Sequence, residues 1–225
     1  MTTVPTDPFE YIHWNMKLAH KTFEEGYNVI VSKLDDPPTN DLKNFLGYCE
    51  AWAHAISHHH DTEVYTDTLQ EATLFPALNT KMDFSHEKEQ HAAVHAFLDD
   101  FLATVQAAQA DTSKFDAAKL KGMLESSNDA IFTHFREEVE HIEPEKLKAA
   151  GFSEAEGRQM IADVDKHAKS HGDPFLAVPY MRSHTPPEYK EIWPPIPWIL
   201  RKLVVPYMLA KKHSGYWKYS PYGMS

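Results

Sequence analysis

His58-His59-His60-Asp61-Thr62-Glu63 places a carboxylate four residues after His59, and the same His-x-x-x-Glu spacing returns in His134-Phe135-Arg136-Glu137-Glu138. In a helix, side chains four apart lie one above the other on a single face. Between the two pairs stands His91-x-x-x-His95. Three helices can therefore aim imidazoles and carboxylates at one centre, which is a metal-site pattern.

Working outward, the residues around each pair read as amphipathic helices. From near Asp41, the residues Leu42, Phe45, Cys49, Trp52 and Ile56 recur at three or four, and that rhythm lands on His59 and Glu63. Upstream, Asp7-Pro8-Phe9-Glu10 forms a helix start, with Asp7 as cap and Pro8 at the first helical position. The stripe Ile12, Met16, Phe23, Tyr27, Ile30 and Leu34 follows, carries His20, and ends before Asp35-Asp36-Pro37-Pro38. A third segment, from about Ser85, aligns His91, Val94, His95, Leu98, Phe101, Leu102 and Val105. A fourth, from about Lys114, aligns Leu120, Leu124, Ser127, Ile131, His134 and Glu138. Four periodic segments with short links predict an all-α chain, an up-down-up-down four-helix bundle over residues 1–150. At ~1.5 Å rise per residue the candidate ligands on all four helices fall in the same half of it.

Ser153-Glu154-Ala155-Glu156 is a capping box opening a fifth helix to about Ser170, stopped by Gly172 and Pro174. The rest of 151–225 is rich in Pro and aromatics, among them Trp193, Trp198, Tyr216, Trp217, Tyr219 and Tyr222. It is expected to wrap the bundle and cover apolar surface; a lid or partner-binding arm is the sharper alternative.

Composition bounds the function. The 225 residues carry a formal charge of -11, which disfavours nucleic acid and anionic membranes and suits cation binding, although a solvated acidic surface gives the same number. The single Cys49 excludes an intrachain disulfide framework, and MTTVPTDPFEY lacks the basic and apolar regions of a signal peptide, so a cytoplasmic protein is expected. The late apolar stretch from Ile192 to Ala210 contains four prolines with Arg201 and Lys202, so no transmembrane segment is expected, only shallow interfacial contact at most.

The ordered set His20, His59 with Glu63, His91 with His95, and His134 with Glu138 resembles that of hemerythrin-like, or HHE cation-binding, domains. The tract from His58 to Glu63 with the later Leu74-Phe75-Pro76, and the run from His134 to Glu138 with Pro144, follow that family's plan over roughly residues 10 to 150. The resemblance implies a di-iron centre bridged by Glu63 and Glu138. Manganese and zinc suit the same donors. One histidine on the third helix suffices in many members, so His95 is less secure than His91. His54, His58, His60, His86 and His141 read as surface or supporting groups, and His167-x-x-x-His171 has ligand spacing but no ordered carboxylate partner.

The chain departs from the family after Glu63. Removing Val64 to Gln70 restores HHHDTEEATLFP, so a seven-residue insertion follows a ligand. A helical insertion turns through about 700° and preserves the inward face. The residues from Val64 to Thr68 are weak helix formers and can instead loop out. In that case Glu71 competes with Glu63 as ligand.

Two function classes fit: an oxygen-dependent oxidoreductase acting on a small organic substrate, and a non-catalytic protein binding or sensing oxygen, nitric oxide or the metal. A bundle that has lost its metal through the insertion is the third reading. Fold and ligands do not choose among them.

Overall fold

Asp7 starts the first helix, its carboxylate accepting the backbone N–H groups of Phe9 (2.9 Å) and Glu10 (3.1 Å) ahead of Pro8. The computed structural model describes residues 3–64, 66, 67, 71, 72 and 74–224. It is all-α apart from one two-residue β pair. Helix α1 is Pro8–Asp35, α2 Leu42–Val64, α3 Leu74–Leu78, α4 Ser85–Ala110 and α5 Ala117–His141. The last begins later than the Lys114 read from periodicity. Asp116 is its cap, accepting from the amide of Lys119 at 2.9 Å, and Thr112–Lys114 is a separate 3-10 turn.

The four long helices pack in a closed ring, α1 on α2, α2 on α4, α4 on α5 and α5 on α1. Contacts run in opposite senses along each neighbouring pair. On α1 and α5, His20 meets Phe135 and Tyr27 meets Leu124. On α2 and α4, Glu50 meets Gln109 and His60 meets His91. Each long helix is therefore antiparallel to both neighbours.

Their inward stripes form two apolar clusters. One contains Phe23, Tyr27, Ile30, Phe45, Trp52, Ile56, Leu98, Phe101, Leu124 and Ile131. The other joins Phe9, Ile12 and Met16 to Phe75, Leu78, Phe84, Ile142, Leu147 and Met160. Between them, in chain order on each helix, lie buried polar residues: His20 after Met16, His60 and Glu63 after Ile56, His91 before Val94, and His134 and Glu138 between Ile131 and Ile142.

The insertion after Glu63 leaves the helix. α2 ends at Val64, and Thr66–Asp67 (β1) pairs antiparallel with Glu71–Ala72 (β2), Thr66 opposite Ala72 and Asp67 opposite Glu71. Val64, Thr66 and Thr68 are β-branched, which lowers helix propensity and suits a strand pair. The side chains of Asp67 and Glu71 fall outside the described residues.

Beyond α5 come α6 (Pro144–Ala149) and α7 (Glu154–Ser170), the latter opened by the reciprocal Ser153–Glu156 capping box. α7 packs on α1, α2 and α3, and α8 (Pro174–His184) packs on α1 and α2. Fully buried Tyr180 on α8 donates to the Thr22 carbonyl at 2.9 Å, and Trp193 Nε1 donates to Asn15 Oδ1 at 2.8 Å. A π-helical stretch, Leu200–Leu209, follows and packs on α8. No helix among the described residues is long and apolar enough to cross a membrane.

Close approach at Gly26 joins α1 to both α2 and α8. A Cβ there would lie 2.2 Å from Tyr180 Oη and 2.5 Å from Trp52 Cδ1. Neither ring can move within a packed interior, so Gly26→Ala should lower unfolding free energy by about 1–3 kcal/mol. Urea denaturation measures this; an unchanged midpoint would show that the interface relaxes freely.

Candidate metal centre

The helical period delivers two groups of side chains to the middle of the ring. His60, His91 and His134 each offer a ligand atom within 4.8 Å of the others, and so do His20, His59, Glu63 and Glu138. The two groups share boundaries through the carboxylates. Glu63 lies with Oε1 2.9 Å from His59 Nε2 and Oε2 3.5 Å from His91 Nε2. Glu138 Oε2 lies 3.2 Å from His20 Nε2 and 3.7 Å from His134 Nε2. Each glutamate thus reaches one histidine of either group.

Six of the seven residues expected from sequence are brought together: His20, His59, Glu63, His91, His134 and Glu138. His95 is not among them. Four residues carry it about 6 Å further along α4 from His91, where its half-buried ring meets the edge of His60 at 5.3 Å between centroids. His60 joins the first group instead, at an interior position rather than the surface one expected for it. It is wholly buried and stacks on His91 at 4.2 Å. The signal was present, since His60 follows Ile56 by four and precedes Glu63 by three.

Tautomers follow from the partners. A carbonyl oxygen only accepts, so His20 Nδ1–H donates to the Phe135 carbonyl (3.1 Å) and leaves a lone pair on Nε2. His134 Nδ1–H donates to Gln90 Oε1 (3.3 Å), and Gln90 Nε2 in turn donates to Glu137 Oε2 at 2.6 Å. His20 Nε2 therefore presents a lone pair to Glu138 Oε2 at 3.2 Å, with no hydrogen bond to either atom. Two such acceptors stay together only with a proton or a cation between them.

Electrostatics tell the same story. Burial is the first cause in every case: it pushes His59 down to about 4, His134 to about 3 and His91 to about 2, and His20 and His60 well below the usual imidazole range. Burial likewise raises the Glu63 and Glu138 carboxyls well above theirs, Glu138 further through the neighbouring charges of Glu63 and Glu87. Without a cation, burial therefore favours the uncharged form of every group in the cluster. Among the described residues, Nε2 of His20, His59, His91 and His134 and both nitrogens of His60 are buried with no hydrogen-bond partner. Orphan polar atoms at this density are costly, whereas five imidazoles and two carboxylates form a fitting donor set for first-row metal ions.

The Gln90 bridge gives a direct check. Holding the second nitrogen of a ligating imidazole contributes about 10–100-fold to metal affinity. Gln90→Leu should therefore weaken metal binding by that factor in a chelator-competition titration while the chain stays folded. Unchanged affinity would show that His134 needs no orienting partner.

No family model matches the chain, and no solved structure matches it. It is similar to the dimeric xanthone biosynthesis cluster protein R11 of Cryptosporiopsis sp. (strain 8999), with 24% identity over 197 residues, covering 82% of this chain and 68% of that protein.

Proposed function

We propose that this protein is a hemerythrin-like four-helix-bundle dimetal oxidoreductase that uses iron and molecular oxygen on a small organic substrate. The observation that carries the reading is the sharing of Glu63 and Glu138 between two histidine groups, one of His20 and His59, the other of His60, His91 and His134. Those residues would hold two metal ions, with both carboxylates common to them. When bound, an iron pair supplies one- and two-electron chemistry toward oxygen that amino-acid side chains lack.

The chain's own residues prepare that site. The apolar clusters on either side exclude water, which strengthens every charge interaction between them. His20 and His134 are fixed in orientation by the Phe135 carbonyl and Gln90. Beside Glu138, Glu87 is 4% exposed and pairs its Oε1 with His141 Nδ1 at 2.5 Å. His141 retains 28% side-chain exposure, so this pair links the solvent to the flank of the site. His59, at 15%, is the most exposed of the seven side chains.

The relative's name ties it to biosynthesis of dimeric xanthones, which favours an organic substrate and a catalytic role. A second reading, reversible binding of oxygen or nitric oxide without turnover, is favoured by the deep burial of the other six residues, none more than 5% exposed. Oxygen-electrode measurements on the reduced, iron-loaded protein separate the two. An oxidoreductase consumes oxygen continuously when an aromatic substrate and a reductant are supplied. A carrier takes up a fixed amount per chain and releases it on deoxygenation, an outcome that would overturn the catalytic reading.

A further inference from the structure

We infer that the stretch from Trp198 to Met208 is a surface that seats this protein on an anionic lipid bilayer. The inference is independent of the metal centre. Trp198 (58%), Ile199 (59%), Leu200 (39%), Leu203 (49%), Tyr207 (71%) and Met208 (64%) are all exposed to solvent. Among the described residues, Val4 at 40% is the one other large apolar side chain so exposed. Such a concentration on one element marks an interaction site.

Winding explains why these side chains share a face. Leu200–Leu209 is π-helical, and its i→i+5 hydrogen bonding lines up residues four and five apart. Ile199, Leu203 and Tyr207 with Met208 therefore stack outward. Val205 and Ala210, five apart, are buried on the opposite side. Trp198 and Tyr207 lie near the two ends, and such amphipathic rings favour the headgroup level of a bilayer. Pro194, Pro195, Pro197 and Pro206 interrupt the segment, so it suits lying in the interface rather than crossing it.

Charge selects the occupant. The chain's formal charge is -11, yet none of its 33 acidic residues follows Glu191, whereas Arg201, Lys202, Lys211, Lys212 and Lys218 do. Lys202 touches Glu191 at 2.5 Å, Lys212 touches Asp173 at 3.4 Å and Lys218 touches Asp41 at 2.9 Å. Arg201 donates to the Glu191 carbonyl. Exposed ion pairs of this kind are weak and yield readily to lipid phosphates. A second copy of the chain would match the apolar face but would set two positive rims against each other, because a two-fold interface juxtaposes the same patch. An anionic bilayer matches both the apolar face and the rim.

Flotation with vesicles of phosphatidylcholine alone, or with about one-third phosphatidylserine, tests this. The full chain should float with the anionic vesicles, at least about tenfold more tightly than with neutral ones, and less in high salt. A Leu203→Glu, Met208→Glu double variant should lose at least about tenfold in binding. A Lys211→Glu, Lys212→Glu variant should retain its fold and lose the preference for phosphatidylserine. These side chains are exposed, so thermal melts of both variants should match the parent. Failure of the parent to float, equal binding to neutral vesicles, or flotation unaffected in both variants would each overturn the proposal. Self-association abolished by the Leu203→Glu, Met208→Glu change, without flotation, would assign the face to a second copy instead.

Discussion

A His59→Ala, His134→Ala double variant should emerge from purification with essentially no bound metal, whereas on the proposed function the unaltered protein, prepared without chelator, should carry about two iron ions per chain. The pair is chosen because His59 and His134 belong to different histidine groups, so each substitution opens one group. Both leave a carboxylate that has lost one of its two imidazole neighbours. Elemental analysis and the optical spectrum measure the loss directly. Single variants sharpen it: His60→Ala should cost about one metal ion per chain, and His95→Ala should retain both. Full occupancy in the double variant, or absence of stoichiometric metal from the parent, would defeat the assignment. The latter would revive the reading of a helical protein that no longer binds metal.

The second large effect is on pH. In the metal-free protein Glu63 and Glu138 hold their protons well above the usual carboxylate range, and the histidines are neutral down to about pH 4 or below. Loading metal must then displace carboxyl protons, so affinity should rise with pH. Stability follows with a definite sign. For the lowered histidines, the unfolded chain takes up protons that the folded chain refuses, so the metal-free protein loses stability as pH falls below about 6.5. For the raised glutamates, stability is present below about 4.5 and is lost as pH rises toward their folded values. Above about pH 6.5 the glutamate effect remains, and it lowers metal-free stability as pH rises toward the folded carboxyl values. The melting-temperature difference between loaded and chelated protein should therefore widen as pH rises above about 6.5. A constant difference would mean that the carboxyls are already ionised without metal.

Most of the site was legible because helical spacing and burial are the same information. His20, His59, Glu63, His91, His134 and Glu138 each continue an apolar rhythm, and a polar residue on such a stripe must be buried among partners. His60 was missed for a geometric reason. Adjacent residues diverge by about 100° on a helix, and a single-stripe reading keeps only one of them. α2 packs against both α1 and α4, so its inward face is wide enough for His59 to reach His20 while His60 reaches His91. His95 is expected because its spacing from His91 is right for a shared face, but the same four residues carry it about 6 Å along the axis, away from the other donors.

The insertion shows another limit. Helical phase allowed Val64 to Gln70 either to continue α2 or to leave it, and the strand pair between Thr66–Asp67 and Glu71–Ala72 resolves a choice that weak local propensities left balanced. The tail illustrates a third. Whole-chain charge argues against an anionic surface, yet charge after Glu191 runs the other way, and Met208 joins the outward face of Ile199, Leu203 and Tyr207 through a π-helical winding that an α-helical reading does not contain.

The polar layer between the two apolar clusters should let them open as two cooperative units in the metal-free protein. One lies toward the end of α1, the start of α2, the end of α4 and the start of α5, together with α8, and the other toward the opposite helix ends with α3, α6 and α7. Protonated carboxyls and orphan imidazoles are a poor adhesive between them, whereas ions held in common would rivet both halves. Amide hydrogen exchange on chelated protein should show the half around Phe75, Phe84 and Ile142 opening before the half around Trp52 and Phe101, and metal should merge them into a single protected unit.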